Sequence, residues 1–220
     1  EVTGEILVPE LHADIPKHRY AEAEKMASTL NGDFGSFPWH NTTSPMTKSN
    51  VDGLIGRTWK PTLSVVGSDG IPSIQNGGNV LRPYTKLKLS FRLPPVVDCN
   101  IAMNAVDKIL KENPPNNASV TVDWDEPANG WNAPKLSTWL EGAIEEASQS
   151  FYRKPAMAMG EGGTIPFMAM LGEQFPAAQF VVTGVLGPNS NAHGPNEFIH
   201  IPFAKKLSAS IAYILDRYPS

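Results

Sequence analysis

The stretch FVVTGVL, residues 180–186, is a continuous apolar run that predicts a buried β-strand. Residues 187–190 (GPNS) follow as a loop, and Pro202 suits the first turn of a helix predicted at about residues 203–217. His193 therefore lies on a loop beyond a strand's carboxyl end, where open α/β sheets bind ligands. Two interpretations stay open for it, a surface or turn-capping histidine and a metal ligand whose imidazole Glu197 orients.

Composition limits the classes of partner. The chain has 220 residues, enough for one large domain or two small ones, and a net charge of -4. That charge gives no support to a nucleic-acid or anionic-membrane partner. No run approaches the length of a membrane span and no signal peptide opens the chain. The single cysteine, Cys99, excludes an internal disulfide and fits a reducing compartment, so we expect a cytoplasmic protein.

The N-terminal part predicts an antiparallel α+β layer. A helix is expected over residues 17–30, an irregular loop over 31–50 and a strand over 62–66 that Gly67 ends. Residues 86–92 (KLKLSFR) alternate between apolar and polar side chains, as a half-buried strand does. Asp98 is placed to cap a helix over residues 99–111, and residues 119–124 predict a further strand.

The pattern changes after a Pro/Gly/Asn-rich joint at residues 125–134, the best candidate for a domain boundary. Helices are predicted over residues 135–151 and near 165–174, with a glycine loop at 160–163 between them. Together with the strand at residues 180–186 and the last helix, these elements predict about half of an α/β domain. One strand cannot form a parallel sheet, so we expect its partner strands to come from elsewhere.

Two features carry chemistry that suits an anionic ligand. The glycine loop, with Thr164 as a plausible helix cap, allows a ligand to approach free backbone N–H groups, although a tight turn explains the glycines equally well. Arg92 ends the polar face of its strand, where a guanidinium can bind a carboxylate with two hydrogen bonds or simply face solvent. His12 and Asp14 have the spacing of a metal site, but no acidic pair accompanies them, and a structural role is favoured.

Three motifs in a fixed order resemble a known family. They are residues 78–81 (GNVL) followed by 89–94 (LSFRLP), residues 161–166 (EGGTIP) and residues 192–197 (AHGPNE). Together they resemble the dinuclear-zinc exopeptidases of the carnosinase, cytosolic non-specific dipeptidase and Cys-Gly dipeptidase type, relatives of carboxypeptidase G. The motifs are similar to the family's lid strand pair, its glycine loop and its C-terminal metal-ligand loop.

The resemblance implies an α/β fold in two parts. Residues 1–130 would be a lid and dimerisation domain with an antiparallel sheet, incomplete at its N-terminus, and residues 131–220 the C-terminal segment of a catalytic domain that holds two zinc ions. It also implies a substrate-binding set: Asn79, Arg92, Glu161, Gly162, Gly163 and Thr164. By the same comparison His193 would be a zinc ligand, with Glu197 beside it.

The departures from the family pattern are large. Gly160 stands where the family often has an arginine. The remaining zinc ligands, the paired glutamates of the general base and the lid histidine would lie upstream, so no catalytic residue is assigned in this chain. We therefore expect the C-terminal half of a longer enzyme that is inactive alone.

Two functions follow from this comparison. The first is a zinc-dependent dipeptidase that cleaves the peptide bond next to a free C-terminal carboxylate, with a small peptide as substrate, a homodimer formed through the lid and an N-terminal catalytic half as partners. The alternative is a non-catalytic dimerisation or binding module derived from such an enzyme. A nucleotide-binding enzyme has little support because no phosphate motif is present.

Overall fold

The computed structural model describes residues 4–29, 38–47, 49–162, 165–186 and 189–219. The described chain contains six α-helices and a two-stranded sheet, in the order α1 (Lys17–Thr29), α2 (Asn50–Trp59), β1 (Thr62–Asp69), β2 (Lys86–Arg92), α3 (Cys99–Lys111), α4 (Thr138–Tyr152), α5 (Pro166–Gln174) and α6 (Ile201–Asp216). Among these helices, none has the length and apolar character needed to span a membrane. The chain divides into two compact units, Glu1–Asn132 with Met159–Met170, and Ala133–Ala158 with Leu171–Ser220.

Helices α1 and α2 form a small core of their own in the first unit. Ser49 caps α2, because its side chain accepts a hydrogen bond from the Asp52 N–H. Leu54, Ile55 and Trp59 lie on one face of α2 and pack with Ala23 of α1. The sequence prediction of a loop up to residue 50 therefore stops one residue too late, and it missed α2, although the cap and the helical spacing of the apolar residues are both in the sequence.

The sheet is an antiparallel pair whose register places Thr62 opposite Arg92 and Asp69 opposite Lys86. A bulge between Val65 and Gly67 accommodates an extra residue, so β1 continues to Asp69 and does not end at Gly67 as predicted. Both strands are largely exposed. Phe91 packs against the core beneath α3 and so fixes the end of β2 that carries Arg92.

Helix α3 begins where the sequence predicts. The Asp98 side chain accepts hydrogen bonds from the N–H groups of Asn100 and Ile101. Ala102 and Val106 pack with Leu11 in the core, whereas Ile101 is 58% exposed.

The second unit is centred on the pair α4 and α6. Leu140, Ala143 and Ala147 of α4 pack with Ile214 of α6. His200 caps α6 by accepting the Phe203 N–H on Nδ1, and a proline occupies the first turn, as the sequence indicates. Helix α4 begins at Thr138, three residues later than expected, after Ser137 donates its N–H to the Gln179 side chain.

Two predicted strands have no hydrogen-bonded neighbour. Residues 119–124 and 180–186 belong to no ladder in the described part of the chain. The prediction for residues 119–124, within the antiparallel layer, is wrong as a paired strand, whereas partner strands for residues 180–186 were expected to come from elsewhere. A β-strand needs a neighbour to accept and donate its main-chain hydrogen bonds, and apolar pattern alone does not supply one. Residues 119–124 are instead tethered to α3, where Trp124 donates its indole N–H to Asp107 at 2.9 Å.

Candidate substrate-binding and metal-ligand residues

Arg92 and the glycine loop lie in contact within the first unit. The Arg92 guanidinium donates from Nη1 to the carbonyl oxygen of Gly162. The strand that carries Arg92 is held by packing of Phe91, and Arg92 itself is exposed. The structure thus brings together two candidate residues that are 70 positions apart in the sequence.

Helix α2 contacts the same loop from another direction. Arg57 in its last turn forms an ion pair with Glu161, with 3.3 Å between Nη2 and Oε2. A Cβ atom added at Gly162 would lie 2.5 Å from the carbonyl oxygen of Arg57, and one added at Gly160 would lie 2.9 Å from Thr58 Cγ2. Close approach to the helix backbone therefore favours glycine strongly at position 162, whereas a Cβ at position 160 would displace only the Thr58 side chain. Sequence reasoning missed Arg57 and Thr58 because it missed α2.

The other predicted substrate-binding residues are less constrained. Asn79 lies exposed on the connection from β1 to β2, and in the described residues no hydrogen bond or ion pair joins it to Arg92 or Glu161. Gly163 and Thr164, with the predicted cap of the following helix, lie outside the described residues. α5 follows at Pro166–Gln174, close to its predicted position.

The loop that carries His193 has unusual backbone geometry. Asn189, Asn191, His193 and Asn196 all adopt positive φ, between 54° and 63°. Asparagine and histidine both enter this left-handed region more readily than most side chains. Non-glycine residues in this region occur in ordinary turns as well as at functional sites.

Local hydrogen bonds hold this loop. The Glu197 carboxylate accepts the main-chain N–H of His193 at 3.2 Å, and the Asn191 side chain donates to the Pro195 carbonyl at 2.6 Å. The contact seen for Glu197 is therefore to the main chain, while the imidazole of His193 is exposed. An exposed imidazole on a fixed loop is available as a ligand.

Donors for a whole metal centre are absent from the described part of the chain. No group of three or more His, Cys, Asp or Glu side chains there is placed to hold a metal ion. His12 donates from Nε2 to the Ile6 carbonyl at 2.6 Å, a contact that serves the local fold. Zinc takes three or four protein ligands, so His193 alone does not make a zinc site.

Sequence and structure comparisons identify relatives of the chain. A cysteinylglycine-S-conjugate dipeptidase from Corynebacterium striatum is 26% identical over 157 residues, which are 66% of this chain and 33% of that protein. Human carnosine dipeptidase 1 has a similar structure, with a TM-score of 0.64, 18% identity and coverage of 99% of this chain and 47% of that one. The resemblance to the dipeptidase family is confirmed.

Two further solved structures agree with this family fold. The di-peptidase Dug1p from Saccharomyces cerevisiae matches with a TM-score of 0.66, 20% identity and coverage of 99% of this chain and 46% of that one. The M20 family metallo-carboxypeptidase Sso-CP2 from Sulfolobus solfataricus matches with a TM-score of 0.67 and 17% identity. The match covers 97% of this chain and 48% of that one. The α/β fold class is confirmed by these likenesses. No protein-family model matches the chain.

The chain spans only part of each relative. It covers about a third of the curated dipeptidase and about half of each solved structure. The chain therefore corresponds to one portion of the fold of these solved structures.

Proposed function

We propose that this chain supplies the substrate-clamping residues and one metal-ligand loop of a zinc-dependent dipeptidase. The observation that carries the proposal is the hydrogen bond from Arg92 to the Gly162 carbonyl, because it joins two motifs that the family comparison assigns to one site. The homology to a cysteinylglycine-S-conjugate dipeptidase supports the same reaction class, hydrolysis of a dipeptide.

Arg92 would bind the C-terminal carboxylate of the substrate. A guanidinium has five N–H donors, and the Gly162 carbonyl uses one of them. The remaining donors form a planar fork that matches a carboxylate. The short peptide backbone of the substrate would be lined by Asn79, Glu161, Gly162, Gly163 and Thr164. This arrangement would limit the substrate to small peptides with a free carboxylate.

His193 would be a zinc ligand in the complete enzyme, and Glu197 would keep its loop in place. The other ligands and the general base would come from an N-terminal catalytic half outside these 220 residues. Zinc bound by such a full ligand set supplies a water acidic enough to deprotonate near neutral pH. The described residues hold no group of three or more metal ligands, so the chain alone is expected to be inactive.

An assignment of roles to the two parts of the chain completes the proposal. Residues 1–130 would be the lid and would form a homodimer, and residues 131–220 would complete the catalytic domain. The boundary after Asn132 supports this division, although Met159–Met170, which include the glycine loop, group with the first unit. We further propose a cytoplasmic location, which a single cysteine at Cys99 fits.

The second candidate is a non-catalytic dimerisation module. It is favoured by one observation, that the described residues hold no cluster of metal ligands. The two candidate functions predict different activities for a longer polypeptide that includes this chain. Expressing the chain together with its flanking coding sequence should yield zinc binding and dipeptide hydrolysis if the first is correct, and neither if the second is.

Arg92→Ala in that longer protein tests the substrate role directly. Loss of a charge-assisted hydrogen bond costs about 1.5–3 kcal/mol, so KM for a dipeptide should rise by roughly 10- to 150-fold. Lys88→Ala is the matched control, because Lys88 is a cation on the same strand that pairs loosely with Asp125 at 3.9 Å. An unchanged KM in Arg92→Ala, or an equal rise in the control, would contradict the assignment.

A further inference from the structure

The glycine loop packs against the C-terminal end of helix α2. Two consecutive helix residues, Arg57 and Thr58, contact three consecutive loop residues, Gly160, Glu161 and Gly162. One contact is an ion pair, one is a close approach of Gly162 to the Arg57 main-chain carbonyl, and one is a close approach of Gly160 to the Thr58 side chain. The loop is therefore matched to the helix in both shape and charge.

Helix α2 is a firm support for these contacts. Its first turn is capped by Ser49, and Leu54, Ile55 and Trp59 anchor its buried face. The position of the Arg57 backbone is fixed by this packing, so the guanidinium reaches the loop from a rigid base.

The charges around the loop are unequal. Arg57 pairs with the Glu161 carboxylate, and Arg92 donates to the main-chain carbonyl of Gly162. The negative charge of Glu161 is thus paired by Arg57, while Arg92 keeps further N–H donors for an anionic ligand.

We propose that Arg57 is a positioning residue for the glycine loop, which holds Glu161 by the ion pair and so places the Gly162 carbonyl against Arg92. Glu161, assigned above to the substrate path by resemblance, acts in this account through its pair with Arg57. Gly160 leaves room for Thr58 where the family often carries an arginine, and Arg57 supplies a guanidinium from the helix. The consequence for substrate binding rests on the proposed function, whereas the contact with the loop does not.

The loop contact is tested in the 220-residue chain by 15N relaxation of the Glu161 and Gly162 amides. Arg57→Met and Glu161→Gln should each lower their order parameters from a rigid value of about 0.85 toward the roughly 0.6 of flexible backbone. The reversed pair, Arg57→Glu with Glu161→Arg, should restore order.

Arg217→Met is the control, because Arg217 also approaches a carboxylate, that of Glu146 at 4.0 Å, with similar exposure. It should leave the loop amides unchanged. Loop amides that stay ordered in the single variants, or a reversed pair that is as mobile as they are, would overturn the proposal.

The functional consequence is tested in the longer protein with its flanking sequence. The Arg57–Glu161 side chains are 40% and 62% exposed, so their pair is worth at most about fivefold. KM should rise by about two- to fivefold in Arg57→Met with kcat nearly constant, and the reversed pair should recover it. If the wild-type protein hydrolyses no dipeptide, the proposed function is contradicted but the loop contact is not. If the wild type is active and Arg57→Met leaves KM unchanged, the positioning role of Arg57 is contradicted.

Discussion

Replacing Gly162 with alanine tests the close approach between the glycine loop and α2. The added Cβ would lie 2.5 Å from the Arg57 carbonyl oxygen, and an ordinary contact begins at about 3.4 Å. The loop must therefore move by about 0.9 Å. The helix end cannot yield easily, because Ile55 and Trp59 are buried within the turn that holds this carbonyl.

The expected magnitude is the balance of two effects. Overpacking against rigid structure costs about 1–3 kcal/mol, while removing a glycine from the unfolded chain returns about 0.4–1 kcal/mol. Gly162→Ala should thus destabilise the first unit by up to about 2.6 kcal/mol, with a central value of about 1.3 kcal/mol. At about 2–4 °C per kcal/mol, the central value lowers the thermal midpoint by roughly 3–5 °C.

The assay is thermal unfolding followed by circular dichroism, with Gly56→Ala as the matched control. Gly56 lies in α2 itself, and a Cβ there meets nothing within 4 Å. Helix glycine costs about 0.5–1 kcal/mol relative to alanine, so Gly56→Ala should raise the midpoint. If Gly162→Ala also raises the thermal midpoint, the close contact between Gly162 and Arg57 does not exist in solution, and the packing of the glycine loop against α2 is contradicted.

Three other predictions concern the framework. Asp98→Ala removes the cap that accepts two N–H groups and should cost about 1–2 kcal/mol in chemical denaturation, whereas Asp98→Ser should retain most of it. Leu140→Ala, at a side chain that is 1% exposed, should destabilise the second unit by about 2–5 kcal/mol, and a loss under 1 kcal/mol would mean that this core is loose. Hydrogen bonds from Lys111 and then Trp124 lower the pKa of Asp107 below its ordinary 3.8. The stability that Asp107 adds is therefore present above pH 3.8 and is lost as the pH falls through the lowered pKa of Asp107. The difference in unfolding free energy between wild type and Asp107→Asn should shrink in that acidic range and stay constant above it.

Local signals in the sequence predicted the elements that depend on few partners. The alternation in residues 86–92 and the cap at Asp98 each lie within one segment, and β2 and α3 formed as expected. The residues facing the core of α4 were also predictable, because the helical spacing around Leu140 selects one face. Family resemblance, and not spacing, was needed to give Arg92 and His193 a role.

Features that depend on distant partners were not predictable. The strand expected at residues 119–124 needs a neighbour that its apolar pattern cannot specify, and the described chain gives it none. The contact of Arg57 with Glu161 joins positions 104 residues apart, which no local rule connects. The left-handed backbone at His193 likewise depends on hydrogen bonds from the whole loop, including the one that Glu197 accepts.

The most direct test of the account is dipeptide hydrolysis by the chain expressed together with its flanking coding sequence, measured with and without a zinc chelator. We predict hydrolysis of a small dipeptide with a free C-terminal carboxylate. The chelator should abolish this hydrolysis and added zinc should restore it, and His193→Ala should lower both the activity and the bound zinc. Hydrolysis that is insensitive to chelation, or full zinc content and activity in His193→Ala, would contradict the claim that the His193 loop is part of a dipeptidase metal centre.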